Sequence, residues 1–221
     1  MKLAYILTIG SFVFLGCTKE NSNNTKLEIG LLYQDKDFIE LISESKLIID
    51  SSFKYASGNL LSETEFINHF KKAVNENDPN SRKIISRSLG FLNDTVFWNK
   101  RKYIREKISL LNYKYDLNNA DQYLISNAIK NQLYIKPVNQ YNLSINKSTA
   151  LEGTNCLQQF NNCRDNVTAA FAFDQIQCVM AGSLGWTGLG LLLFAACEAS
   201  AYYKSYVGDR TCLINYNLCL K

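Results

Sequence analysis

Six cysteines in the last third of the chain constrain it more than any other feature. They stand at Cys156, Cys163, Cys178, Cys197, Cys212 and Cys219, and the steps between them run 7, 15, 19, 15 and 7. Steps that read the same in both directions are what two antiparallel arms give when each cysteine on one arm faces one on the other. On an α-helix, at about 100° per residue, a step of 7 returns to within roughly 20° of its start and a step of 22 to within roughly 40°. Cys156, Cys163 and Cys178 therefore share one helix face, and the mirrored spacing gives Cys197, Cys212 and Cys219 the same property. Of the many pairings that six cysteines permit, the spacing favours the nested one: Cys156–Cys219, Cys163–Cys212 and Cys178–Cys197.

The centre of this region, from Gln175 to Cys197, carries no charge, and by length it could cross a bilayer. Two facts favour a bend instead. Gly182, Gly185, Gly188 and Gly190 crowd its middle, as a turn would prefer. In one continuous helix Cys178 and Cys197 would lie about 28 Å apart, beyond disulfide reach. The apolar tip, Leu184, Trp186, Leu189, Leu191, Leu192 and Phe194, is then a candidate contact for membrane or partner. Ala169, Ala170, Ala172, Ala195, Ala196, Ala199 and Ala201 allow close approach of the arms, and Phe160, Phe171, Tyr202 and Tyr216 fill the seam or the outer faces. Asp174 lies near the cysteine face, with Lys204 as its expected partner.

At the other end, Met1-Lys2 precedes an apolar run from Leu3 to Leu15 that ends in Gly16-Cys17. This is the layout of a secretory signal peptide, too short for a membrane span. Phe14-Leu15-Gly16-Cys17 resembles the lipobox of bacterial lipoproteins, although Phe14 and Leu15 stand where that pattern has leucine and a small residue. The resemblance implies cleavage before Cys17 and its acylation, with chains such as palmitate. Thr18 follows, rather than the aspartate that retains some lipoproteins at the inner membrane, so the implied site is the outer membrane of a Gram-negative-type envelope. Of seven cysteines, Cys17 as lipid carrier leaves six to pair, and disulfides persist in exported proteins.

Between Asp35 and Tyr134 the 3.6-residue periodicity predicts five helices. The first spans about Asp35 to Ala56 on Phe38, Leu41, Ile42, Ile48 and Ile49. The second follows the capping-box pattern Ser62-Glu63-Thr64-Glu65 and buries Phe66, Ile67, Phe70, Ala73 and Val74. The third opens at Asp78-Pro79, carries Ile84, Ile85 and Leu89, and stops at Gly90. The fourth, capped by Asp94, buries Phe97, Ile104, Ile108 and Leu111. The fifth runs from about Asn119 to Leu133 on Leu124, Ile125, Ala128, Ile129 and Leu133. The expected architecture is all-α, in five parts: a signal peptide at 1–16, a lipidated N-terminus and tether at 17–34, a helical body at 35–135, a polar linker at 136–152 and a cysteine-rich helical hairpin at 153–221.

Chemistry-bearing motifs are sparse. His69 is the one histidine and reads as a structural or solvated group beside Phe70. The glycines from 182 to 190 lack the lysine of a phosphate loop, and the cysteine steps do not match C-x-x-C metal or redox spacing. No cofactor or metal site and no enzyme is expected; an enzyme of unknown class, resting on His69, is the third reading. A net charge of +4 is too mild for a dedicated nucleic-acid binder. Lys100, Arg101, Lys102, Arg105 and Lys107 crowd the fourth helix. They form either a solvated face or a surface for anionic lipid head groups, and Trp98 and Tyr103 beside them suit an interface or a core.

The cysteine-rich tail resembles disulfide-stapled helical hairpins of small secreted bacterial proteins, a likeness that assigns no function. The leading expectation is a lipid-anchored cell-envelope protein with a structural or partner-binding role, attached to the membrane through its lipid and meeting an envelope protein or lipid. The alternative is a membrane-active or toxin-like protein that inserts the apolar tip around 184–194.

Overall fold

Several helix boundaries of the body carry identifiable capping chemistry. The computed structural model describes residues 29–55, 61–134, 150–183 and 188–221. A short 3-10 turn, Leu32–Gln34, leads into α1, Lys36–Tyr55, where the Asp35 carboxylate accepts from the Asp37 amide at 2.7 Å. Helix α2, Glu63–Asn75, starts with the full capping box. The Ser62 hydroxyl accepts from the Glu65 amide and the Glu65 carboxylate accepts from the Ser62 amide, so two otherwise orphaned donors are satisfied.

Helix α3, Pro79–Ser88, is capped by Asp78. It ends with Gly90 at φ 80°, the Gly90 amide donating to the Arg87 carbonyl and the Phe91 amide to that of Ser86. This Schellman arrangement needs the left-handed conformation that glycine adopts without a Cβ penalty.

Helix α4, Asp94–Tyr115, differs from expectation by one residue. Asn93, and not Asp94, is the cap and accepts from the Thr95 amide, while Asp94 joins the first turn. Helix α5, Gln122–Tyr134, begins three residues later than expected. Asp116 takes a left-handed conformation and binds the Asn119 side chain, and Asp121 accepts from the Tyr123 amide. Such local Asp and Asn bonds compete with the first helical turn and delay it.

The hairpin consists of α6, Ala150–Ser183, and α7, Gly188–Cys219, rods of about 50 Å at the usual helical rise. Three bonds join them: Cys156–Cys219, Cys163–Cys212 and Cys178–Cys197, with Cα–Cα distances of 5.8, 5.7 and 5.5 Å. The last of these closes the region between Cys178 and Cys197 as a bend. Among the described residues no helix is long and apolar enough to cross a membrane.

Two glycines let the arms and their fillers approach. A Cβ on Gly182 would lie 2.8 Å from Phe194, and one on Gly208 would lie 3.0 Å from Val167. Gly182 is therefore a packing glycine inside α6 and not part of the turn. Gly188 and Gly190 belong to α7.

The hairpin is not a satellite of the body. Phe171, Ala172, Ile176 and Met180 of α6 and Ala199, Ala201, Tyr202 and Tyr206 of α7 share one apolar core with Phe38, Phe66, Phe70, Phe97 and Ile104 of the first four helices. α6 packs on α1, α4 and α5, and α7 packs on α1 and α2. Among the described residues, the open end of the hairpin adds nothing to that core. There the rings of Phe160 and Tyr216 lie 5.0 Å apart, in the stretch that Cys156–Cys219 and Cys163–Cys212 staple.

Candidate functional site

The polar groups of the molecule gather where hairpin meets body. Arg101 of α4 and Glu198 of α7 are both buried, Glu198 completely, and Nη2 of Arg101 donates to Oε2 of Glu198 at 2.5 Å. The guanidinium sits 5.5 Å from the Phe70 ring centroid and 5.4 Å from that of Trp98, within cation–π range. One turn beyond Glu198, the fully buried Tyr202 ring contacts Phe70, Phe97 and Phe171.

Three groups of this cluster keep buried atoms without a hydrogen-bond partner, Nε of Arg101, Oε1 of Glu198 and the Tyr202 hydroxyl, as do both amide atoms of Gln175 on α6. Burial pushes the Glu198 carboxyl up, against the opposing pull of Arg101. The Tyr202 hydroxyl is pushed far up by burial and then by Glu198. These are groups held neutral or paired because the interior disfavours isolated charge.

A second buried arginine ties the two arms of the hairpin to each other and to α1. Arg164 of α6 donates through Nε to Asp209 of α7 at 2.8 Å and pairs through Nη2 with Asp50 of α1, also at 2.8 Å. Lys46 of α1 reaches Asp165 at 3.0 Å. Asp174 is raised by burial, and Lys204 pulls it the other way without offsetting it. Lys204 is thus the neighbour expected for Asp174, but it does not neutralise the carboxylate.

Three of the five basic residues crowded on α4, Lys100, Arg101 and Lys107, are drawn into ion pairs with other helices, which corrects the expectation of a solvated face. Lys100 pairs with Glu44, Lys107 with Asp37 and Glu40, and Lys114 with Asp35 and Asp37. The Tyr103 hydroxyl donates to Glu40 and that of Tyr115 to Asp35. Bonds from Lys107 and Lys114 hold the Asp37 carboxyl down at about 2. This ladder fastens α4 to α1. Trp98 is a core residue, its indole N–H donating to the Arg82 carbonyl at 3.3 Å.

Lys102 and Arg105 stand apart from the ladder. With Glu106, Ser109 and Leu110 they line a shallow groove of about 690 Å³ along α4. The Arg105 guanidinium lies 4.5 Å from the Phe194 ring centroid, so the groove opens beside the start of α7.

Of the residues expected at the hairpin tip, Leu184 and Trp186 lie outside the described residues, as do the side chains of Leu189, Leu191 and Leu192. Leu193 is 70% exposed. Phe194 is only 5% exposed and faces inward, against Gly182 and Arg105; it is a packing residue and no outward contact. Cys17 also lies outside the described residues. His69 Nδ1 sits 3.1 Å from the Ser81 hydroxyl, bridging α2 and α3.

Sequence reasoning placed Arg101 among the surface charges of the fourth helix and missed its burial, and it missed Glu198, Arg164 and Asp209 altogether. A signal existed for Arg101, since Phe97, Arg101, Ile104, Ile108 and Leu111 are spaced as one buried stripe. Glu198 directly follows Cys197 in an alanine-rich stretch, where a charge needs a partner. No known family model matches this chain, and no curated protein or solved structure shows a significant similarity to it.

Proposed function

We propose that this is a lipid-anchored protein of the cell envelope, held at a membrane by fatty acyl chains on Cys17 and presenting a disulfide-locked helical bundle to a partner. The observation that carries this reading is the complete pairing of the six C-terminal cysteines, which leaves Cys17 alone out of seven. Disulfides persist where thiols are not kept reduced. An unpaired cysteine directly after a signal-like apolar run is where acylation by the export route would fall. The role assigned to the bundle is structural or partner-binding, and its polar groups support this. Arg101, Glu198, Arg164 and Asp209 are engaged in joining helices, and the groove along α4 is an accessible polar feature among the described residues.

Labelling cells with radioactive palmitate tests the anchor. The wild-type chain is expected to take up label and fractionate with membranes, and Cys17→Ser is expected to lose both properties. Label retained by Cys17→Ser, or an N-terminal peptide without acyl mass, overturns the reading.

A membrane-active role is the second reading, favoured by the exposure of Leu193 at the start of α7. Dye release from vesicles, abolished by Leu193→Asp, would support it, and the absence of release by the wild-type chain would dismiss it.

A further inference from the structure

Arg105 is a half-buried cation on the groove side of α4. Among the described residues no carboxylate comes within ion-pair distance of it. Its nearest acidic influence, Glu198, is already bonded to Arg101, and Glu106 leans toward Lys102 at 3.8 Å. The guanidinium is nevertheless held in place by stacking on Phe194 at 4.5 Å. A fixed, partly desolvated guanidinium with donors to spare matches the fork geometry that binds phosphate oxygens.

The rest of the groove completes an amphipathic site. Lys102 is exposed beside Arg105 and adds positive charge, Ser109 offers an exposed hydroxyl, and Leu110, nearly half exposed, supplies an apolar wall.

We propose that the groove of Lys102, Arg105, Glu106, Ser109 and Leu110 seats the phosphate head group of an anionic phospholipid, with the start of its acyl portion along Leu110. This inference rests on the reading that the chain is held at a membrane surface, and it names what the bundle meets there. Attraction between the basic groove and an anionic leaflet follows from the surface potential. A half-buried guanidinium adds a directed contact that a diffuse basic patch lacks.

The test uses the full disulfide-bonded chain in an uncharged detergent, titrated calorimetrically with dihexanoylphosphatidylglycerol, dihexanoylphosphatidylcholine and inorganic phosphate. The glycerol lipid is expected to bind at least about tenfold more tightly than either control. Arg105→Gln is expected to weaken it by about tenfold or more, the factor that loss of one charge-assisted hydrogen bond carries. Lys102→Gln, an exposed change that leaves the melting temperature unaltered, is expected to weaken it several-fold, and it decides the matter should Arg105→Gln not fold. No binding of the glycerol lipid, or undiminished binding in both variants, overturns the proposal. Equal binding of inorganic phosphate assigns the groove to a free anion and overturns the lipid. The titration does not depend on Cys17: a chain without acyl chains that binds the glycerol lipid keeps this inference while the anchor falls.

Discussion

Arg101 and Glu198, 97 residues apart in the chain, meet through a 2.5 Å hydrogen bond inside the aromatic core. The contact joins the fourth helix to the second arm of the hairpin, so it spans the two halves of the protein. Removing one partner leaves a buried charge uncompensated, which costs about 3–5 kcal/mol. Arg101→Ala is expected to lose stability of that order in urea unfolding. Arg101→Met combined with Glu198→Leu is expected to recover most of it, because an apolar pair needs no compensation. A double variant as unstable as Arg101→Ala alone would show that the pair itself, and not the orphaned carboxylate, sets the loss.

Asp37 links α1 to α4 through Lys107 and Lys114, and its carboxyl titrates near 2 in the folded chain against an ordinary 3.8. A depressed folded value means that this group's stabilisation is fully present above 3.8 and disappears as pH falls from there toward 2. Chemical unfolding across that window is expected to show a shallower pH dependence in Asp37→Asn than in wild type, and the two should converge at the acid end. Equal slopes would mean that the ladder contributes nothing to acid stability.

Gly182 offers a steric test of the hairpin. Alanine there gains helix propensity of about 1 kcal/mol, yet its Cβ would come within 2.8 Å of the Phe194 ring, and overpacking costs about 1–3 kcal/mol. The clash is expected to win, with Gly182→Ala lowering the melting temperature and Phe194→Leu in the same chain relieving part of the loss. A melting temperature raised by Gly182→Ala alone would place the arms further apart than described.

The three disulfides differ in access. Cys219 is exposed, whereas Cys178 and Cys212 are almost fully buried. Thiol exchange requires approach of a thiolate to the sulfur, so mild reductant is expected to open Cys156–Cys219 first. Alkylation and peptide mass analysis at timed intervals would follow the order. Early loss of Cys178–Cys197 would mean that the bend opens more readily than the free end of the hairpin.

What the sequence disclosed was whatever is local or repeats on a fixed face. The capping box at Ser62 and the Asp78-Pro79 start depend on residues within one turn, and both formed as expected. The cysteine steps were legible because helical phase converts spacing into facing. Asn93 was missed because two cap-competent residues stand side by side and only the backbone chooses between them. The α4 charges were misjudged because their partners, Asp37, Glu44 and Glu198, come from distant parts of the chain. Gly182 was assigned to a turn for the same reason, since Phe194 reaches it across the hairpin.

Tyr202 carries a consequence for biogenesis. Its ring touches Phe70, Phe97 and Phe171, yet it is synthesised 132 residues after Phe70. The first five helices, emerging alone, have a hole where this tyrosine and its neighbours on α6 and α7 belong. Closure of the aromatic core therefore waits until α7 has been made, because the ring at its centre comes from that helix and not from the body it completes.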